Sequence, residues 1–360
     1  MPFKTYTFTD ADKGINLQLP GNKAYWTTGR NVRFTQGFAS KSLGKSLKAT
    51  TPGAQPIRAM FSYVNAYGKA VTIVCSDAAV YAYNEDFSGD VALSAYLNIT
   101  PYPAPTGDAD SVWTFALVSG LLFVSNGKER VWEWWDIGRY FYELDDALTG
   151  IAAKFIGSCM HRLVLSNVTV RATTYPGRIM WSEAGNPENF TLDLQHGAGI
   201  FDLLDYRTGA GIVVTIKGQI FAGQNGFFFG EKGLWVCDFA QQLKQFMLAD
   251  RDVELLAPRA VCQAGGAIFF IGKTDIYRTV TGKAEPIGLP VRKNLFASIN
   301  VTYEHRSFAF APYGANEVWF CIPTGTSTQP DTAYIYNYEL NNWTVQDVDF
   351  LCHSVSYDDL

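Results

Sequence analysis

Short apolar runs recur along this chain, each bounded by turn residues and followed, after a tight connection, by an aromatic-rich run. The apolar runs are Val71–Cys75, Leu121–Val124, Leu163–Leu165, Ile212–Ile216, Ala267–Ile271 and Val318–Ile322. Continuous apolar stretches of this length between turn signals predict strands buried on both faces. The runs that follow them read Val80-Tyr81-Ala82-Tyr83, Val131-Trp132-Glu133-Trp134, Ile179-Met180-Trp181, Gln219-Ile220-Phe221, Asp275-Ile276-Tyr277-Arg278 and Ala333-Tyr334-Ile335-Tyr336. Ser76-Asp77, Asn126-Gly127, Lys217-Gly218 and Gly272-Lys273 supply the turn chemistry between the pairs. Apolar runs starting at 71, 121, 163, 212, 267 and 318 are 50, 42, 49, 55 and 51 residues apart. That spacing suits a four-stranded unit with its connections. The pattern predicts an all-β chain, a β-propeller of about six blades.

Ahead of the repeats, Asn31–Thr35 and Phe38–Leu43 alternate about a Gln36-Gly37 turn and predict a hairpin. Gly14-Ile15-Asn16 and Pro20-Gly21-Asn22 predict an extended arm. The chain is read as an arm and closing hairpin over 1–50 and a propeller over 51–360, a single domain overall. Terminal strands, with Phe350–Val355 as the C-terminal one, are expected to complete a shared blade and close the ring, hiding sheet edges. Asn341–Val345 is the best fourth strand. Phe239–Leu248 is rich in helix formers without a cap, and reads as a helix or an extended connection.

Composition sharpens this picture. Apolar residues make up 48% and charged residues only 18%, so much of the sequence must face other protein. A net charge of −5 argues against a broad basic face gripping nucleic acid. The six cysteines, at 75, 159, 237, 262, 321 and 352, are far apart among apolar residues and read as small buried hydrophobes. They have neither CxxC nor Cys/His ligand spacing, so neither a metal nor a cofactor is expected. Met1-Pro2-Phe3-Lys4 lacks the apolar core of a secretory leader, and no segment has membrane-spanning length; cytoplasmic assembly without a membrane anchor is the expectation.

Catalytic motifs are sparse, and no enzymatic activity is expected. His161, His196, His305 and His353 show no metal spacing, and GxSxG, HExxH and Walker patterns are missing. Gly223, Gly226 and Gly230 enclose aromatics and read as turn glycines. Asp202, Asp205, Glu133 and Glu317 are the carboxylates that a glycosidase-like propeller could recruit, although the repeated Ser-x-Asp-x-Gly-x-x-Trp turn of sialidases is missing. Trp132, Trp134, Trp135, Tyr140, Phe141 and Tyr142 crowd one stretch. They read either as inter-blade core or as a subunit interface, two roles that aromatics fill equally well.

Between two strand candidates lies Trp181-Ser182-Glu183-Ala184-Gly185-Asn186-Pro187-Glu188-Asn189-Phe190, a polar corner turned by Asn186-Pro187. Its polar residues, Glu183, Asn186 and Glu188, are candidates for a docking edge. With Gly14-Ile15-Asn16, Asn31-Val32-Arg33-Phe34 followed by Gly37 and Gly44, and Phe123-Val124-Ser125-Asn126-Gly127, this corner resembles the propeller-forming tail nozzle proteins of short-tailed bacteriophages, also called tail tubular protein B or packaged-DNA stabilisation protein. The resemblance spans most of the chain as an ordered series of short motifs.

The resemblance implies a virion structural protein: a homo-hexameric nozzle ring below the portal and adaptor that retains packaged double-stranded DNA and conducts its ejection. It further implies fibre or spike proteins as partners and a place in the phage tail after assembly in the host cytoplasm. Two alternatives stand beside it. One is a carbohydrate- or receptor-binding propeller on a phage tail; the other is a kelch-like interaction propeller, for which Gly265-Gly266 supplies the double glycine once.

Overall fold

A computed structural model describes residues 13–18, 26, 29–35, 38–41, 55–65, 68, 70–84, 96–135, 141–144, 150–192, 197–205 and 211–352. The chain folds into six four-stranded antiparallel blades arranged as a β-propeller. Each blade is built from consecutive strands. After the hairpin β1 (Val32–Thr35) and β2 (Phe38–Lys41), blade 1 contains β3 (Ala59–Val64), β4 (Ala70–Cys75), β5 (Val80–Asn84) and β6 (Tyr96–Asn98). Blade 2 contains β7 (Thr114–Val118), β8 (Leu121–Ser125), β9 (Trp132–Trp134) and β10 (Tyr142–Glu143). Blade 3 contains β11 (Ile151–Cys159), β12 (Arg162–Val170), β13 (Thr173–Trp181) and β14 (Gly199–Asp202). A small hairpin, β15 (Leu204–Asp205) with β16 (Ile212–Val213), leads into blade 4: β17 (Ile216–Ala222), β18 (Asn225–Gly230), β19 (Leu234–Asp238) and β20 (Phe246–Asp250). Blade 5 contains β21 (Val261–Ala264), β22 (Ala267–Ile271), β23 (Ile276–Thr279) and β24 (Glu285–Pro286). A short helix, α1 (Arg292–Ser298), precedes blade 6: β25 (Phe308–Phe310), β26 (Glu317–Ile322), β27 (Thr332–Asn337) and β28 (Asn342–Asp347).

The apolar runs are second strands in five of the six blades, for a packing reason. β4, β8, β22 and β26 are buried along nearly their whole length, and so are most residues of β12. Both of their faces meet neighbouring blades, so alternation is lost. Blade 4 departs from the expected phase. Ile212–Ile216 forms the exposed β16 and the start of β17, and Gln219–Phe221 lies in the first strand of the blade rather than the third. The true second and third strands, β18 and β19, are interrupted in sequence by Gly226, Gly230 and Gly233. A Cβ at Gly226 would stand 2.8 Å from Phe239, and one at Gly230 2.5 Å from Trp235, so the aromatic packing itself demands glycine there. Phe239–Leu248 is not helical: it is a turn followed by the start of β20.

Four strands per blade bring the chain back to the same end each time, so all six first strands run in one sense. First strands of successive blades meet around the axis, as β7 with β11, β11 with β17 and β21 with β25. The links from each outermost strand to the next first strand therefore gather at one end of the molecule, here called the upper end. The turns between third and fourth strands lie at the lower end.

Ring closure differs from the expected shared blade. Blade 6 is complete in β25–β28, and the N-terminal arm lies against its outermost strand. Ile15 donates its N–H to the Trp343 carbonyl at 2.9 Å and Asn31 to the Val345 carbonyl at 3.0 Å, while Arg33 pairs with Glu317 at 2.7 Å. The C-terminal segment forms no strand through Cys352; Phe350 covers Phe308, Phe310 and Trp319 on the free face of blade 6. His353–Val355 lie outside the described residues. Across the seam, the Arg259 guanidinium donates to the carbonyls of Arg58 in blade 1 (3.1 Å) and Leu351 in the C-terminal segment (3.5 Å), above the Phe308 ring.

Candidate functional site on the outer rim

The polar corner sits at the lower end of blade 3, between β13 and β14. Its carboxylates have unequal roles. Glu183 holds the turn together: Asn189 Nδ2 donates to Glu183 Oε2 at 2.9 Å, and the Glu183 N–H donates to the Asn189 carbonyl at 2.9 Å. Gly185 donates to the His161 carbonyl in the β11–β12 turn, and Arg162 donates to the Ser182 carbonyl, so the corner is fastened to its own blade. Asn186 is exposed and Glu188 half-buried. These two are the members of the set turned outward.

The aromatic stretch divides. Trp132 and Trp134 are 2% and 3% exposed, with Trp113 stacked on Trp132 and Phe141 against Trp134 in the core between blades 1 and 2. Both indoles are therefore core, which corrects the interface reading for these two: alternation in β9 puts them on one face, toward blade 1. Trp135, just past the strand, is 49% exposed and donates its indole N–H to Glu133 at 3.1 Å. Tyr142 in β10 is also exposed. Tyr140 lies outside the described residues.

Sequence reasoning missed the rim between blades 3 and 4. A groove of about 500 Å3 runs there, with Phe201, Trp235, Phe246 and Leu248 along it and Asp205 and Arg251 at its upper end. Phe201 stacks on Phe246 at 4.5 Å and 14°, and Phe246 in turn touches Phe228 and Trp181, so the exposed ring rests on a rigid aromatic stack. Ile212 and Val213 of the small hairpin stand half exposed beside it. The aromatic–Asp pair Phe201-Asp202 was legible only as a carboxylate. In the fold Asp202 turns to the opposite face of the sheet, where Arg178 grips it through two bonds of 2.8 Å.

The other carboxylates are dispersed. Glu133 lies in β9 of blade 2 and Glu317 in β26 of blade 6, bonded to Arg33 and the Trp319 indole; Asp205 lies in the small hairpin. Asp202 lies in β14 of blade 3, so the four carboxylates stand on four different elements. Among the described residues no group of three His, Cys, Asp or Glu side chains could hold a metal ion. His305 bonds Asp110 at 2.8 Å, His161 sits in a turn, and His196 and His353 lie outside the described residues. The six cysteines form no disulfide with one another. Burial pushes the Cys159 and Cys237 thiols up to about 12 and Cys352 to about 11, which keeps them protonated and unreactive at neutral pH.

At the upper end, the link from β6 to β7 crosses toward the axis. Gly107 donates to the Asp77 carbonyl at 2.7 Å, Lys128 pairs with Asp108 at 2.6 Å, and Asp110 takes Arg306 at 2.7 Å from the segment before β25. This strap ties blades 1, 2 and 6 together. Near its start, Pro101-Tyr102-Pro103 holds out a tyrosine that is 93% exposed.

No protein-family model matches the chain, nor does any curated protein. The chain is similar to several solved structures. The extracellular domain of a hybrid two component system from B. thetaiotaomicron is 12% identical over 81% of this chain, with a TM-score of 0.49. The chain spans 35% of that domain's length. The computationally designed Ika8 protein is 10% identical, covering 87% of this chain and 93% of its own, with a TM-score of 0.44.

Proposed function

We propose that this protein is a non-enzymatic structural subunit of a phage tail nozzle ring, which retains packaged DNA and forms the conduit for its ejection. The observation that carries the reading is the outer rim. Large apolar side chains stand uncovered on the outer edges of successive blades: Tyr96 and Leu97 in blade 1, Trp135 and Tyr142 in blade 2, Phe201 in blade 3 and Met247 in blade 4. Exposed apolar area of this kind marks surfaces that meet other protein. The motifs that resemble nozzle proteins support it from the sequence side: Gly14-Ile15-Asn16 and Asn31–Phe34 come together on blade 6 as one fastened arm. Portal and adaptor rings are the neighbours this role entails, with fibre or spike proteins at its periphery and double-stranded DNA passing through the assembled ring. The acidic balance of the chain favours a conduit in which DNA slides without being held.

Electron cryomicroscopy of intact particles carrying this protein tests the proposal. A ring of this propeller below the portal and adaptor is the expected image. A virion without it, or glycan hydrolysis by the purified chain, overturns the reading.

A further inference from the structure

The outer edge of blade 6 is a strand-binding site that the chain fills with its own N-terminal arm. Blade 6 is complete in β25–β28, so the arm adds to it without supplying one of its four strands. Ile15 and Asn31 dock on the Trp343 and Val345 carbonyls, two residues apart on β28. Side chains make this edge selective. A Cβ at Gly14 would stand 2.8 Å from the Trp343 oxygen and 2.9 Å from the Asn342 Cβ, so the edge admits only glycine there. Ile15 and Phe34, 1% and 3% exposed, are set into the core shared by blades 4, 5 and 6. The Asn31 amide donates to the Asp347 carboxylate and its oxygen accepts the Asp347 N–H, both at 3.0 Å, while Arg33 donates to Glu317 at 2.7 Å. A strand that lacks this glycine, aliphatic, asparagine and arginine does not satisfy the edge; a second copy of this chain carries all four.

These contacts do not depend on which chain supplies the arm. Together with the bond from the Leu17 N–H to the Pro290 carbonyl, they fall on blades 4 to 6 and on the link between blades 5 and 6. The propeller closes separately, through Arg259 and the strap. Between Lys41, the end of the hairpin, and Gln55, ahead of blade 1, lie 13 residues, 42–54. A chain of that length spans at most about 45 Å, and as a tether it holds its end at an effective concentration on the order of millimolar. Docking within a chain and docking between chains make the same bonds, so local concentration decides between them.

We propose that the arm is an exchangeable strand: where copies are gathered at roughly millimolar local concentration, the outer edge of blade 6 takes residues 14–17 and 30–34 of a second copy. The inference goes beyond the ring reading above and does not rest on it, since exchange pairs copies whatever assembly surrounds them.

Two full-length variants, Arg33→Glu and Glu317→Arg, purified apart and then mixed at micromolar concentration, test this by native mass spectrometry. Alone, each variant sets like charges against each other inside its own chain; in the mixture, reciprocal exchange restores both opposite pairs. The expected result is a one-to-one mixed dimer at least tenfold tighter than either variant's own dimer. The Arg33→Glu/Glu317→Arg double variant, with the pair restored inside one chain, should return to the wild-type balance of monomer and dimer. Arg30→Glu mixed with Asp347→Arg repeats the test on a pair whose side chains are 58% and 50% exposed, where folding is not at stake. Mixtures of both pairs that associate no more than their separate components overturn the exchange. So does a mixed dimer that survives Ile15→Asp in both partners, because it would not be held by the arm.

Discussion

Gly14 has a φ of +79°, and a Cβ there would stand 2.8 Å from the Trp343 carbonyl oxygen. Left-handed backbone and a close approach thus coincide at the residue that lets the arm reach blade 6. Gly14→Ala should cost at least about 1–2 kcal/mol from the backbone conformation alone, read as a lower denaturation midpoint with earlier proteolysis of the arm. At the corner of blade 3, charge reversal separates two roles. Glu183→Lys breaks the bond from Asn189 and should destabilise by about 1 kcal/mol, whereas Glu188→Lys should leave the thermal midpoint unchanged. Impaired ring assembly by Glu188→Lys would make this corner a docking edge; normal assembly removes it from the interface. Arg259 completes the residue scale. Replacing it by Met removes charged donors from two carbonyls across the seam, at about 1.5–3 kcal/mol per bond as an upper bound, measured by urea denaturation.

Among the elements, the strap from β6 to β7 is the one built from charge. The hydrogen bond from Lys128 holds the Asp108 carboxyl down at about 2, and the bond from Arg306, followed by that from His305, holds Asp110 below its usual range. A carboxyl with a depressed folded-state pKa stabilises fully above its unfolded value of about 3.9 and loses that contribution as pH falls toward the folded value. The strap should therefore keep its protection from neutral pH down to about 4 and lose it between about 4 and 2. Hydrogen exchange of residues 106–111, compared with that of β22, checks this; equal protection at pH 2.5 and pH 6 would contradict it. The blades themselves were legible because burial on both faces leaves long apolar runs, as in Ala267–Ile271. Blade 4 was not, since Ile212–Ile216 looks like a buried strand yet serves as an exposed hairpin, while the buried β18 is punctuated by glycines that its aromatic neighbours require. The helix α1 was missed because it has one buried residue, Leu295, and no capping side chain. The candidate site was half legible: Trp132 and Trp134 have the composition of an interface but the alternation of a core strand. Phe201, by contrast, is ordinary in sequence and becomes notable only when Phe246 is brought beneath it.

At the scale of the whole molecule, six blades of consecutive strands form a ring whose two ends meet without exchanging a strand. Separate cores lie between blades 1 and 2, 2 and 3, and 3 and 4, and one core is shared by blades 4, 5 and 6, while Val74, Tyr81 and Tyr83 of blade 1 and Trp319 and Ile335 of blade 6 form two further clusters on either side of the seam. Removal of the arm, residues 1–41, should lower stability and leave the outermost edge of β28 open to pairing with another chain, seen as concentration-dependent aggregation. That seam also has a mechanical consequence. A blade shared between the two termini resists pulling through a strand that must be sheared along all its hydrogen bonds at once. Here, among the described residues, tension applied between blade 1 and blade 6 meets side-chain bonds, those of Arg259 and those of the strap through Asp110 and Arg306, which yield one after another. Blades 6 and 1 are thus held by side-chain bonds in place of a strand ladder, and a neighbouring subunit spanning them would act as a splint across the seam.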